Sequence, residues 1–523
     1  MENNQTYRKE LFTHLDGLVL FPTLNGLIET KILDEMIHLN SFTINDISES
    51  IVLNKGYLNV ALRLLYSTNL IDFNKGDTDE TSQYIIKNDL LKLLHSKSEI
   101  DFSMKLIPGF INFNSIFNEI SKDLLEILNK YLSLLKNYHN DISTLHYEYF
   151  KGIILGPILV CLSFNNLIED YSENKILKIK DIDNKLLKIL HELFILCDFI
   201  KIDNKNNFII TERGNFFFKR STSYGVTVSY LPLFNKIKVL LTGNSNFIWE
   251  RDQNNHEIHI NRTMNVWGSG GSHKTYFKKI ILIITNIFNK KIDEQPLGII
   301  DVGCGDGTFL KYVYNIITQN TIRKDYLDSH PLFIIGTDIN KAARIAARKK
   351  LNKQNINNLI INGNISEPTI INKYLRNELN CNLEDLLNTR TFLDHNRIYS
   401  KPKYSFYKNI STSGVFAYKG RIIEKHDLIN NLIEHFISWQ PYIKKHGLIL
   451  LELHTINPKK TKNILGKTLA CAYDATHGYS DQYLVEHDVF EQCLINANLE
   501  ISKKYLELFP NKLYPTVSIN YIK

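Results

Sequence analysis

Ile299-Ile300-Asp301-Val302-Gly303-Cys304-Gly305-Asp306-Gly307-Thr308 decides the fold. The apolar run 298–302 reads as a buried strand. It breaks into a glycine-rich turn, and 309–317 reads as a helix. Strand, glycine turn and helix in that order are how a parallel α/β sheet holds an adenosine-containing cofactor. Glycine lets backbone approach a ligand and adopts dihedrals closed to other residues. The spacing is G-x-G-x-G, and no Gly-Lys-Ser/Thr follows to make a phosphate-binding loop. The Asp301 carboxylate at the strand end suits a cofactor that carries an ammonium group.

That combination resembles motif I of class I S-adenosylmethionine (SAM) methyltransferases. The chain beyond it alternates strand and helix, as a parallel sheet requires. Expected strands are 299–302, 332–337, 359–361, 389–393 and 448–453, with 506–508 and 516–521 as an antiparallel edge. Expected helices between them include 341–352, 369–379 and 427–443. The expected fold is α/β: a Rossmann-like core over 286–523, preceded by a helical region, 1–220, and a linker or lid, 221–285.

The helical region contains two winged-helix-like units. In the first, a helix over 56–70 leads to short strands at 71–73 and 83–86. In the second, 156–160 opens one helix, 186–197 forms another, and 199–202 with 208–211 makes a hairpin. Residues 100–138 between them read as mostly helical. The would-be recognition helix, Leu186 to Leu193, has few basic residues. Dimerisation, giving a homodimer, or a lid is therefore expected here, and nucleic acid is not.

Composition supports this reading. The 523 residues are 44% hydrophobic, enough for more than one core, and 62 basic residues exceed 55 acidic ones by only seven. Six scattered cysteines form no CxxC pair, which suits a reducing compartment and supplies no thiolate metal site. The N-terminus is polar, and the longest apolar runs, such as 153–162, read as too short to span a bilayer. A cytoplasmic protein with no membrane contact is expected.

Residue by residue, Asp338 ends the second strand and is placed to accept both ribose hydroxyls of a nucleoside; its alternative role is the N-cap of the next helix. Asn364 ends the third strand and could read the adenine edge, with Ile339 and Ile365 flanking the ring; its alternative is an Asx turn. The segment 261–273, containing Trp267 and several glycines and serines, reads as a loop held against a ligand or another domain; its alternative is a plain interdomain linker. Three polar clusters follow: Asp394-His395-Asn396-Arg397, Glu452 to Thr455, and Ala472 to Tyr483. Ligands sit at the carboxyl ends of parallel strands, so His395, His454 and His477 are expected to share one rim. Imidazole with carboxylate or amide oxygen suits iron or manganese, whereas the plainer reading makes the histidines general bases or structural hydrogen-bonders.

Motif I, the 261–277 segment, Phe392 to Arg397 and the 474–483 cluster together resemble the methyltransferase domains of polyketide-synthase loading modules of the apratoxin starter-unit type. The resemblance implies a helical lid over a Rossmann-like core, SAM as donor, and a mononuclear iron or manganese centre. It also implies C-methylation of a malonyl-type acyl thioester on an acyl carrier protein; with no carrier domain expected in this sequence that protein would come in trans, and a free acid or a different acyl group is the alternative. It places Gly303, Gly305 and Asp338 against SAM and makes His454, His477 and Gln482 metal ligands. His395 is then a ligand, a base or a residue orienting one. Two other readings stand beside it: a metal-independent small-molecule O- or N-methyltransferase with His395 or His454 as general base, and a non-catalytic SAM-binding scaffold or winged-helix regulator.

Overall fold

The computed structural model describes residues 2–95, 97–111, 120–137, 143–253, 256–405 and 410–523. They form two compact units. The sheet unit holds residues 273–414, 423–456 and 482–523; the helical unit holds 1–272, 415–422 and 457–481.

The sheet unit carries seven strands: β1 (Gly298–Val302), β2 (Phe333–Thr337), β3 (Leu359–Ile361), β4 (Leu387–Thr391), β5 (Leu448–Leu453), β6 (Glu507–Phe509) and β7 (Val517–Ile522). Their order is β6-β7-β5-β4-β1-β2-β3. The pairs from β3 through β5 are parallel, and β7 runs antiparallel to both β5 and β6. Helices Thr308–Asn320, Lys341–Asn352, Pro368–Leu379 and Lys425–Ile443 connect the parallel strands. β1 and most of β5 are buried throughout, because helices cover both faces of a parallel sheet. Strand order reverses between β1 and β4, which makes that crevice the expected ligand site.

Both winged-helix-like patterns form in the helical unit. Helix Lys55–Ser67 precedes the strands Ile71–Asn74 and Gln83–Ile86, which the earlier strand Ser41–Phe42 joins in a three-stranded sheet. Helix Asn184–Leu196 precedes the hairpin Ile200–Ile202 and Phe208–Ile210. Between them 97–104, 107–111 and 122–137 are helical; 112–119 and 138 of the expected helical stretch lie outside the described residues.

Four expectations are corrected. Residues 156–160 do not open a helix but lie inside Thr144–Phe164, with Pro157 in its interior. Residues 221–272 belong to the helical unit rather than to a linker. The Trp267 segment is not a loop: helix Arg262–Phe288 runs through it. Gly268 lies so close to Gly225 that a Cβ on Gly225 would stand 2.6 Å from the Gly268 Cα, so the small residues serve helix packing. Finally, Asn3–Glu29 and Thr144–Phe164 are each long and apolar enough to cross a bilayer, although 89% and 78% of their apolar windows are buried in the fold. They pack on each other in the helical unit, which accounts for their composition.

Candidate active site

The turn after β1 is built as its glycines require. Gly303, Gly305 and Gly307 have φ of 78°, 53° and 77°, a region costly for side chains. The N–H groups of Gly303 and Cys304 both donate to the Thr337 carbonyl, at 2.8 and 2.9 Å, tying the turn to the end of β2. A Cβ on Gly305 would meet no atom within 4 Å, so bare backbone faces the open side of the turn. The Gly305 N–H donates to Asp338 Oδ2 at 3.1 Å, and the Asn340 N–H donates to Oδ1 at 2.8 Å. The cap of helix Lys341–Asn352 is Asn340, whose Oδ1 accepts from Ala342 N–H at 2.8 Å. Asp338 is thereby not needed as a cap and stands beside the glycine turn, where a ribose is held in this fold.

Asp301 sits within β1 opposite Thr389 of β4 and accepts its hydroxyl at 2.9 Å. Burial pushes its carboxyl up to about 7; the Thr389 bond opposes this and the nearby Asp338 adds to it. Ile339 is exposed and Ile365 is buried. The Ile365 carbonyl accepts the Trp439 indole N–H at 2.7 Å. Asn364 makes the Asx turn, its Oδ1 accepting from Ser366 N–H at 3.0 Å, so any contact with adenine falls to its Nδ2. Trp267 is half-buried against the helical unit's core, where its ring meets Phe164 edge-on at 5.5 Å.

At the ends of β4 and β5 the structure makes a pair the sequence reading did not single out. His395 Nδ1 lies 2.5 Å from Glu452 Oε1, and both residues are buried. Glu452 also accepts the backbone N–H groups of Asp394 (2.8 Å), His395 (3.3 Å) and Leu453 (2.7 Å). A carboxylate is an acceptor only, so the ring nitrogen facing it carries a proton, and Nε2 is the nitrogen turned away from Glu452. The Asp394 carboxylate is held by Arg390 (2.6 Å) and His435 (2.9 Å), and the Arg390 guanidinium lies 4.1 Å over Trp439. The turn that carries His395 is therefore gripped by both its backbone and a side chain. One cue was available: Glu452 interrupts the apolar run of β5, and an acid at a buried strand position needs a partner.

Of the implied metal ligands, His454 is engaged at both ring nitrogens within the sheet unit. His454 Nδ1 faces the Val485 carbonyl at 3.3 Å, and Nε2 faces the Ser518 hydroxyl at 2.7 Å. The carbonyl fixes the proton on Nδ1, and the Ser518 hydroxyl takes the lone pair of Nε2. Burial, with His487 nearby, lowers the His454 pKa well below the usual range. These partners correct both roles read for it, ligand and base. His477 lies on helix Ala470–Tyr479 of the helical unit, where its Nδ1 meets the Tyr473 carbonyl at 2.7 Å. Gln482 is buried in the sheet unit. The acids of the third cluster serve the helical unit instead of the rim. Asp474 Oδ2 accepts from Arg63 at 2.9 and 3.1 Å, and Asp481 accepts from Tyr57 (2.8 Å), Trp249 (3.0 Å) and the Lys419 N–H (3.0 Å).

A seven-stranded sheet of this order, with a positive-φ glycine turn after β1 and an acid bonded to that turn after β2, defines a class I SAM-dependent methyltransferase. The family model of the AprA MT2-like domain matches residues 257–520, just over half of the sequence, and the chain belongs to that family. The models of the AprA winged helix domain and the AprA N-terminal domain match 151–244 and 7–73. No curated protein matches the chain. Solved structures it resembles include the mitomycin 7-O-methyltransferase MmcR (10% identity, 64% of this chain and 83% of that one, TM-score 0.35). Others are an O-methyltransferase family protein from Burkholderia thailandensis (10%, 65% and 84%, 0.36) and the DszA carbon methyltransferase (11%, 83% and 92%, 0.33).

Proposed function

We propose that this enzyme methylates the acidic α-carbon of a malonyl-type acyl thioester in polyketide-like biosynthesis, with His395 as general base and Glu452 as its partner. The observation that carries the reading is the buried His395–Glu452 pair at the ends of β4 and β5. Nε2 takes the α-proton, and the carbanion attacks the methyl carbon of SAM. The C–S bond breaks as the new C–C bond forms, and S-adenosylhomocysteine leaves as a neutral thioether. Glu452 stabilises the imidazolium formed in the first step and fixes the ring's orientation. Asp301, Gly303, Gly305, Asp338 and Ile339 hold the donor. The acyl group arrives on a carrier protein in trans, in the cytoplasm.

The test uses isotopically labelled SAM with malonyl-N-acetylcysteamine, and NMR to locate the new methyl group. His395→Gln is expected to lower kcat by about 10²–10⁴-fold with SAM affinity unchanged. A methyl group on oxygen or nitrogen, or a His395→Gln variant as fast as wild type, would overturn the proposal.

A further inference from the structure

Three arginines are buried in the sheet unit, Arg323, Arg390 and Arg397, and the first and last are treated very differently. Arg323, 1% exposed, stands near the start of β1 and is saturated. Its Nε donates to the His330 carbonyl, one terminal nitrogen to Gln295 Oε1 and the Pro296 carbonyl, and the other to the carbonyls of Leu297 and Pro331, all within 3.3 Å. Arg397, 3% exposed, stands two residues past His395. Its Nε donates to Asn431 Oδ1 at 2.8 Å and one terminal nitrogen to the Asp394 carbonyl at 2.9 Å. The other terminal nitrogen is buried and has no partner.

Arg397 has no direct ion pair, although the charges of Asp394 and Glu452 both favour its cationic form. Among the described residues no carboxylate lies within 4 Å of its guanidinium. The nearest acid, Asp394, gives it a backbone carbonyl, because its carboxylate is engaged by Arg390 and His435. A buried N–H without a partner destabilises the fold that holds it. A guanidinium edge with spare donors is the group that matches a carboxylate in shape and charge. Its position ties it to the base: the Tyr483 ring lies 5.7 Å from the Arg397 guanidinium, and the Tyr483 N–H donates to the His395 carbonyl at 2.8 Å.

We propose that Arg397 recognises the acceptor through a carboxylate, so that the enzyme selects acyl groups bearing an acid beside the methylated carbon over neutral ones. The proposal rests on the reading of His395 as base, since it sets Arg397 beside the acceptor. Arg390 Nε, its free terminal nitrogen and Asp394 Oδ2 also lack partners on the same turn. A buried water bridging these atoms and Arg397 is the competing account, and it predicts no preference among acyl groups.

The experiment measures binding to the S-adenosylhomocysteine-loaded protein of malonyl-N-acetylcysteamine and, separately, acetyl-N-acetylcysteamine. Wild type should bind the malonyl compound at least tenfold more tightly. Arg397→Met should abolish that ratio with unchanged S-adenosylhomocysteine affinity and no loss of thermal stability, whereas Arg323→Met should lower the melting temperature. If Arg397→Met does not fold, Arg397→Lys carries the test and should retain a reduced ratio. Equal binding of the two thioesters by wild type, or an unchanged ratio in the variants, would overturn the role of Arg397. A wild-type preference without methyl transfer to either compound refutes the proposed reaction and leaves the recognition role standing.

Discussion

Asp301→Asn separates what the fold needs from what the cofactor needs. Asp301 is 1% exposed, and burial pushes its carboxyl up to about 7. In the unfolded chain the group titrates near its ordinary value of about 3.9. Between these values the unfolded chain has released the proton while the folded protein still holds it. Stability from this group is therefore full below about pH 4, falls as pH rises, and has been lost once pH passes 7. Three units at 1.36 kcal/mol each make the loss about 4 kcal/mol. Asparagine keeps an oxygen to accept the Thr389 hydroxyl and has no proton to lose. Variant stability minus wild-type stability should therefore rise by about 4 kcal/mol from pH 4 to pH 8, read by urea unfolding of cofactor-free protein. SAM affinity should move the other way: wild type binds more tightly from pH 6 to pH 8 as the carboxylate forms, and the variant binds weakly at both. A stability difference that does not change with pH would refute the argument, because it would mean that Asp301 is already ionised in the fold.

Two further outcomes follow from buried polar contacts. Arg63→Met strands the Asp474 carboxylate, whose ion pair is 5% and 7% exposed at its two ends. It should cost about 3–5 kcal/mol in urea unfolding, with most recovered by adding Asp474→Leu; a loss below 1 kcal/mol would show the pair to be solvated. If iron or manganese co-purifies with the protein, His454→Ala should leave its stoichiometry unchanged, and metal loss in that variant would restore His454 as a ligand.

The parts of the fold legible in the sequence are those set by local pattern. β1 and β5 are near-continuous apolar runs bounded by turns, and each lies within one residue of its expected limits. β4 was displaced by two residues, from 389–393 to Leu387–Thr391. Asn388 and Arg390 make it look unlike a buried strand, yet both find partners inside: Asn388 donates to the carbonyls of Leu383, Leu386 and Tyr442. Phe392 then takes a φ of 55° and ends the strand just before His395. What spacing could not show is which distant residue claims a side chain. Asp474 and Asp481 look like rim residues until Arg63 and Tyr57, more than 400 positions earlier, take them. Gly268 looks like loop composition until Gly225 comes against it.

The same logic bears on where the chemistry lies. A buried charge destabilises a fold unless it is matched, so a structural one is expected to be fully partnered, as Arg323 is near the start of β1. At the opposite ends of β1, β4 and β5 the pattern changes. Asp301 is held away from its ordinary ionisation by burial, Arg390 and Arg397 keep donors that nothing accepts, and Glu452 is surrounded by donors that aim it at one imidazole. Fold stability alone would favour apolar residues at these positions, as elsewhere in the strands. Their concentration at one end of adjacent strands fits the proposed site, in which Asp301 meets the SAM ammonium, His395 the acceptor's proton and Arg397 its carboxylate.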